Sequence, residues 1–133
     1  MAITIDLRST TPLEDQLRSQ IRELIALGKL VEGECLPSVR QLAGDLAIHF
    51  NTVARAYRRL QDEGLLAIGR GRGVFVKELP SRRTQSVRQT RETLGGRLRE
   101  IFVDARLIGL TAAQTREFVL DELEQFARKE KRS

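Results

Sequence analysis

The sequence is short of the residues that most enzyme chemistry needs. Among 133 residues there is one cysteine, one histidine, one tyrosine and no tryptophan, and aromatics reach only 5%. Cys35 alone cannot close an internal disulfide or build a cysteine-based zinc cluster. Its lone thiol makes a reducing cytosol the expected compartment. With His49 as the sole histidine, Ser–His–Asp hydrolysis and metal hydrolysis are poorly supplied. No paired carboxylates or phosphate-binding loop stand out, so no cofactor and no metal are expected. No apolar run approaches the roughly 20 residues that span a bilayer, so no membrane partner is expected. Met1-Ala2-Ile3-Thr4-Ile5-Asp6 has no basic stretch followed by a long apolar one, so no secretory signal is expected.

What remains is aliphatic and charged. Hydrophobic residues make up 41% and charged residues 31%, which suits one soluble domain or a small domain with an appendage. With so few aromatics, the core must be Leu, Ile, Val and Ala. The net charge is +5 and its distribution is uneven. Residues 1–37 carry a net −2, residues 38–60 a net +3, residues 69–83 a net +4 and residues 84–99 a net +3, while residues 111–133 cancel. Positive charge concentrated between about 38 and 99 suggests an anionic partner, although a merely solvated surface would look similar.

Ile3 to Leu7 alternates apolar and polar, the pattern of a short strand. A helix is expected next, with Thr11 as N-cap, Pro12 at its first position and Gly28 at its end. Leu13, Leu17, Ile21 and Leu24 form its apolar face. Residues 30–36 read as a loop containing a partly buried Cys35. Ser38 caps a second helix with Val39, Leu42, Ala43 and Leu46 inward. After a turn through Phe50, a third helix runs from about Asn51 to Glu63 with Val53, Ala56, Tyr57 and Leu60 inward. Two short helices joined by a tight turn are a helix-turn-helix candidate. Then come a strand at 65–68, the basic turn Gly69-Arg70-Gly71-Arg72-Gly73 and a strand at 74–77. A basic hairpin after a helix-turn-helix is the winged-helix plan. The glycine-rich turn joins two strands and precedes no helix, so it is not a nucleotide loop.

Residues 79–84 read as a linker. Leu94, Leu98, Ile101, Phe102, Ala105 and Ile108 then form one apolar stripe, ended by Gly109. Thr111 caps a last helix, with Phe118, Val119, Leu123 and Phe126 on one side and fraying expected from Arg128. The expected fold is mainly α with a small β-hairpin wing. A winged helix-turn-helix domain occupies 1–79, and a C-terminal helical dimerisation region occupies 80–133. Two helices and a small winged domain cannot cover such a stripe, so a second copy is the natural cover. The expected dimerisation residues are Leu94, Leu98, Ile101, Phe102, Ala105, Ile108, Phe118, Leu123 and Phe126.

Several segments carry a family resemblance. Leu36-Pro37-Ser38-Val39-Arg40-Gln41-Leu42-Ala43, Asn51-Thr52-Val53, Ala56-Tyr57-Arg58-Arg59-Leu60, Glu63-Gly64-Leu65 and Gly71-Arg72-Gly73-Val74-Phe75-Val76 stand in the order of the GntR family of bacterial winged-helix transcription regulators. The Asn-Thr-Val followed by Ala-Tyr, with a short tail after the wing, resembles its YtrA-type branch. The resemblance implies a homodimer on a roughly palindromic operator, with no enzymatic activity. It implies a repressor, and it places an arginine at position 40 on DNA. About 50 residues remain after Pro80, too few for the ligand-binding domain of most branches. A small-molecule effector is left without an assigned site.

The expected DNA contacts are Ser38, Arg40, His49, Asn51, Thr52, Arg55, Arg58, Arg70, Gly71, Arg72 and Gly73. The third helix should enter the major groove by its N-terminal end, where free backbone N–H groups and the helix dipole favour phosphate. Asn51 and Thr52 suit phosphate or base edges, the alternative for Asn51 being a helix cap. Arg55, one turn on, reaches a guanine edge or a phosphate. Arg58 and Arg59 lie further back, toward phosphate or water. Arg70 and Arg72 sit between glycines that permit close approach to a minor groove. The competing readings are a surface ion pair for Arg40 and a solvated turn for the wing. His49, Phe50 and Ala54 depart from the family pattern, so the base-reading set does not transfer; the competing reading of His49 is a helix cap. Phe50 is expected to pack against the first helix rather than on a thymine methyl. A protein-interaction module is the reading from another class.

Overall fold

The computed structural model describes residues 1–69, 73–78 and 87–131, apart from the side chains of residues 87–89. The chain divides into two compact units, Met1–Arg82 and Arg83–Ser133. The expected linker over 79–84 lies outside the described residues.

In the first unit, helix α1 (Leu13–Ala26) buries Leu17, Ile21 and Ile25, one residue per turn along a single stripe. It starts one residue later than the sequence pattern predicts. Pro12, with φ −55° and ψ 145°, is the last non-helical residue, and no side chain caps the end. Thr11 contributes its carbonyl, which accepts from Gln16 Nε2 at 2.9 Å. Gly28 follows the helix with φ +74°, a conformation that suits glycine.

Ile3–Leu7 is not a strand. Its alternation is real, since Ile3 and Ile5 are half-buried between exposed neighbours. Its hydrogen-bond partners, however, are side chains. Gln20 Oε1 accepts from the Thr4 N–H at 2.9 Å, and Gln20 Nε2 donates to the Thr4 carbonyl at 2.6 Å. Gln16 repeats this on Asp6 at 2.9 and 3.0 Å. Two primary amides on one face of α1 thus supply the donor and acceptor that a neighbouring strand would offer.

Helices α2 (Val39–Leu46) and α3 (Phe50–Asp62) complete the helical layer. A three-stranded antiparallel sheet covers it, made of β1 (Cys35–Leu36), β2 (Leu66–Gly69) and β3 (Gly73–Val76) in the order β1-β3-β2. Strand β1 replaces the expected loop. Cys35 pairs with Phe75 and Leu36 with Val74. Cys35 is exposed rather than partly buried, because alternation in this strand turns Leu36 to the core. β2 and β3 run from Leu66↔Val76 to Gly69↔Gly73. The core joins Leu17 and Ile21 of α1, Val53 and Leu60 of α3, and Leu66 and Val76 of the sheet.

The second unit consists of α4 (Val87–Leu107) and α5 (Ala112–Lys131), joined through Gly109 at φ +100°. Thr111 and Gln114 form a reciprocal cap. Thr111 Oγ1 accepts from the Gln114 N–H at 3.1 Å, and Gln114 Oε1 accepts from the Thr111 N–H at 2.9 Å. α5 stays helical through Lys131 instead of fraying from Arg128, whose guanidinium meets Glu124 at 2.9 Å one turn earlier. Among the described residues no helix is long and apolar enough to cross a membrane.

Candidate nucleic-acid interface

The site is built on how α3 is held. Val53, Ala56, Tyr57 and Leu60 are buried and share one face of the helix. Ser38 caps α2, its Oγ accepting from the Gln41 N–H at 3.1 Å. Ala47 closes α2 in the left-handed region at φ +55°, which reverses the chain into α3. Tyr57 Oη donates to the Pro37 carbonyl at 2.8 Å and so ties α3 to the start of α2. Burial pushes that phenol far above its ordinary pKa.

Charge fixes the other side of the helix. Arg59 pairs with Asp15 and, at 3.7 Å, with Glu14. The hydrogen bond that it donates to the Asp15 carboxylate holds the guanidinium protonated still more firmly than usual. Glu63, just beyond α3, receives Arg18 at 3.4 Å and Arg22 at 3.2 Å. Arg59 therefore ties α3 to acids of α1, although its side chain keeps 41% of its surface in solvent.

At 100° per residue, Asn51, Arg55 and Arg58 fall opposite the buried face. All three are exposed. Neither Arg55 nor Arg58 meets a carboxylate among the described residues. Thr52 is half-buried beside them, and Arg40 is exposed on α2, also without an acidic partner among the described residues. The competing ion-pair reading of Arg40 thus finds no partner there.

The N-terminus of α3 follows the capping reading of its histidine and departs from expectation at Phe50. His49, not Asn51, caps it: His49 Nδ1 accepts from the Asn51 N–H at 3.0 Å. The Thr52 N–H goes to the His49 carbonyl at 3.1 Å. These two amides are satisfied within the turn, so the contact chemistry rests on side chains. Phe50, expected to pack against the first helix, stands 47% exposed at the first position of α3. The exposure of Phe50 was not legible in the sequence, because a phenylalanine beside an apolar helix face reads as packed.

Gly73 opens β3 at φ +70°, opposite Gly69. Arg70, Gly71 and Arg72 lie outside the described residues. In the second unit, Leu94, Leu98, Ile101, Phe102, Ile108, Phe118, Leu123 and Phe126 are all exposed, while Ala105 is 5% exposed. No group of three or more acidic, histidine or cysteine residues comes together to hold a metal ion among the described residues.

Two helices at a tight turn, a small antiparallel sheet and an unpaired basic face on the second helix define a winged helix-turn-helix transcription regulator. The model for bacterial regulatory proteins of the gntR family matches residues 13–76. The HTH-type transcriptional repressor YtrA of Bacillus subtilis is 34% identical over 117 residues, which span 88% of each chain. The chain belongs to the GntR family and is YtrA-like. A solved GntR-family factor, YtrA from Sulfolobus acidocaldarius, is 38% identical with a TM-score of 0.56, over 72% of this chain and 95% of that one. A Listeria monocytogenes protein described as a transcriptional antiterminator covers 95% of this chain and 92% of its own, with TM-score 0.81 and 25% identity. The family and the repressor relative are regulators of transcription, not enzymes.

Proposed function

We propose that this chain is a homodimeric, cytoplasmic repressor that binds a palindromic operator, α3 reading the major groove and the 69–73 turn reaching an adjacent groove. The observation that carries this reading is the face of α3. Asn51, Arg55 and Arg58 are aligned and exposed, on a helix clamped by Tyr57 and Arg59. Asn51 and Arg55 read base edges, Thr52 and Arg58 meet phosphate, and Arg40 and Ser38 position the domain on the backbone. Arg70 and Arg72, flanked by Gly71 and Gly73, serve the wing contact. Residues 1–79 form the DNA-binding domain and residues 80–133 the dimerisation region. The exposed apolar row from Leu94 to Phe126 is the dimer contact. The repressor role follows the B. subtilis relative, which is named as one.

Binding to specific and random duplexes by single variants tests the reading. Asn51→Ala and Arg55→Ala should each cost about 1–3 kcal/mol on the operator and relax preference at one half-site position. Equal losses on operator and random DNA would contradict base reading by these residues. Binding that stays undetectable at low salt would favour a protein-interaction role instead.

A further inference from the structure

The two helices of the DNA-binding motif bury or half-bury every large apolar side chain except one. Between Ser38 and Glu63, Phe50 alone is an exposed large hydrophobe, at 47%. It is also a residue expected to pack against the first helix rather than to stand exposed. Its position is fixed from both sides. Ala47 turns the chain at φ +55°, and the His49 cap sets the first turn of α3 through the Asn51 N–H. One turn on, at i+4, Ala54 is half-buried on the same side of the helix. Phe50 and Ala54 thus form an apolar row that runs beside the polar row of Asn51, Arg55 and Arg58. Neither residue belongs to the core cluster or to the apolar side chains packed against it.

The major groove offers one apolar group to a protein, the C5 methyl of thymine. Hydrogen-bonding side chains cannot sense it, and a phenyl ring can. We infer that Phe50 is a specificity-determining residue that packs on a thymine methyl, next to the bases contacted by Asn51 and Arg55. The inference rests on the reading that α3 enters the major groove. It specifies part of the operator: each half-site holds a thymine adjacent to the position read by Asn51 or Arg55. The contact displaces no counterion, so it adds to specificity without adding to the salt dependence of binding.

The test removes only the methyl. In an operator recovered by selection, each thymine is replaced singly by deoxyuridine, which leaves base pairing and hydrogen-bonding edges intact. Affinity is measured for the wild-type chain, Phe50→Ala, Phe50→Leu and Arg55→Ala. The wild type should lose about fourfold per half-site at one thymine, the partition ratio of one buried carbon group. Phe50→Ala should bind the thymine and deoxyuridine forms equally, with an unchanged salt slope, and Phe50→Leu should keep part of the discrimination. An operator with no methyl-sensitive thymine overturns the inference, as does a Phe50→Ala variant that discriminates as well as the wild type. Arg55→Ala separates the two levels of failure. If it loses affinity while the methyl scan is silent, only the Phe50 assignment fails. If it also binds unchanged, the placement of α3 in the groove fails with it.

Discussion

Tyr57 shows how one polar atom can tie α3 to the start of α2. Its ring fills the core and its hydroxyl is spent on the Pro37 carbonyl. Tyr57→Phe should therefore lower unfolding stability in urea by about 1 kcal/mol, the worth of one such hydrogen bond. The same burial makes a pH prediction. The folded phenol holds its proton at pH values where the unfolded chain has lost it, because burial raises its pKa. The native state then carries the extra proton, so this contribution is whole below about pH 10 and falls as pH rises further. The wild type should lose stability more steeply than Tyr57→Phe above that point, by up to about 1.4 kcal/mol per pH unit. Parallel curves would contradict the assignment. Adjacent arginines should separate as well. Arg58→Ala should reduce the salt slope of DNA binding by about one, whereas Arg59→Ala should leave the slope alone and weaken the fold, since Arg59 is committed to Asp15. Nothing in a run of two arginines tells which one faces out; that depends on acids some 44 residues earlier in the chain.

At the scale of elements, α1 to α3 were legible because their signals are local. Apolar residues recur at helical spacing, and Ser38 and Gly28 punctuate the ends. Strand β1 was not, because two residues carry no periodicity and its identity lies in pairing with Phe75 and Val74, nearly 40 positions away. The N-terminal segment failed in the opposite sense. A strand-like pattern was present, but glutamines on α1 supplied the partners. Two predictions belong here. Ser38→Ala should cost about 1 kcal/mol of stability in urea unfolding, the usual worth of an N-cap. Gln20→Ala should speed amide hydrogen exchange at Thr4 while leaving the core amides of α1 protected. Unchanged exchange at Thr4 would show that the segment is held by its isoleucines alone.

For the whole molecule, the family and the winged fold were legible from ordered motifs. The operator was not, because His49, Phe50 and Ala54 depart from the family pattern at the start of α3. The tail's stripe was legible as apolar but not as a covered surface. Eight of its nine residues stay exposed in the single chain, and Ala105 is buried within it. Contiguous apolar surface of this kind is the mark of an interface. Ile101→Glu in the centre of the stripe should shift the chain to a monomer by light scattering at tens of micromolar, and weaken operator binding with it. A monomeric wild type at that concentration would contradict the dimer. Two copies of α3 on one operator should give sequence-specific recognition. Its most direct test is selection of genomic fragments by the purified protein, with excess random competitor at near-physiological salt. Recovery of a shared palindromic site, its half-sites about one helical turn or more apart, is the predicted result. Fragments with no common site would contradict specific recognition and leave only the general attraction of a basic protein for phosphate.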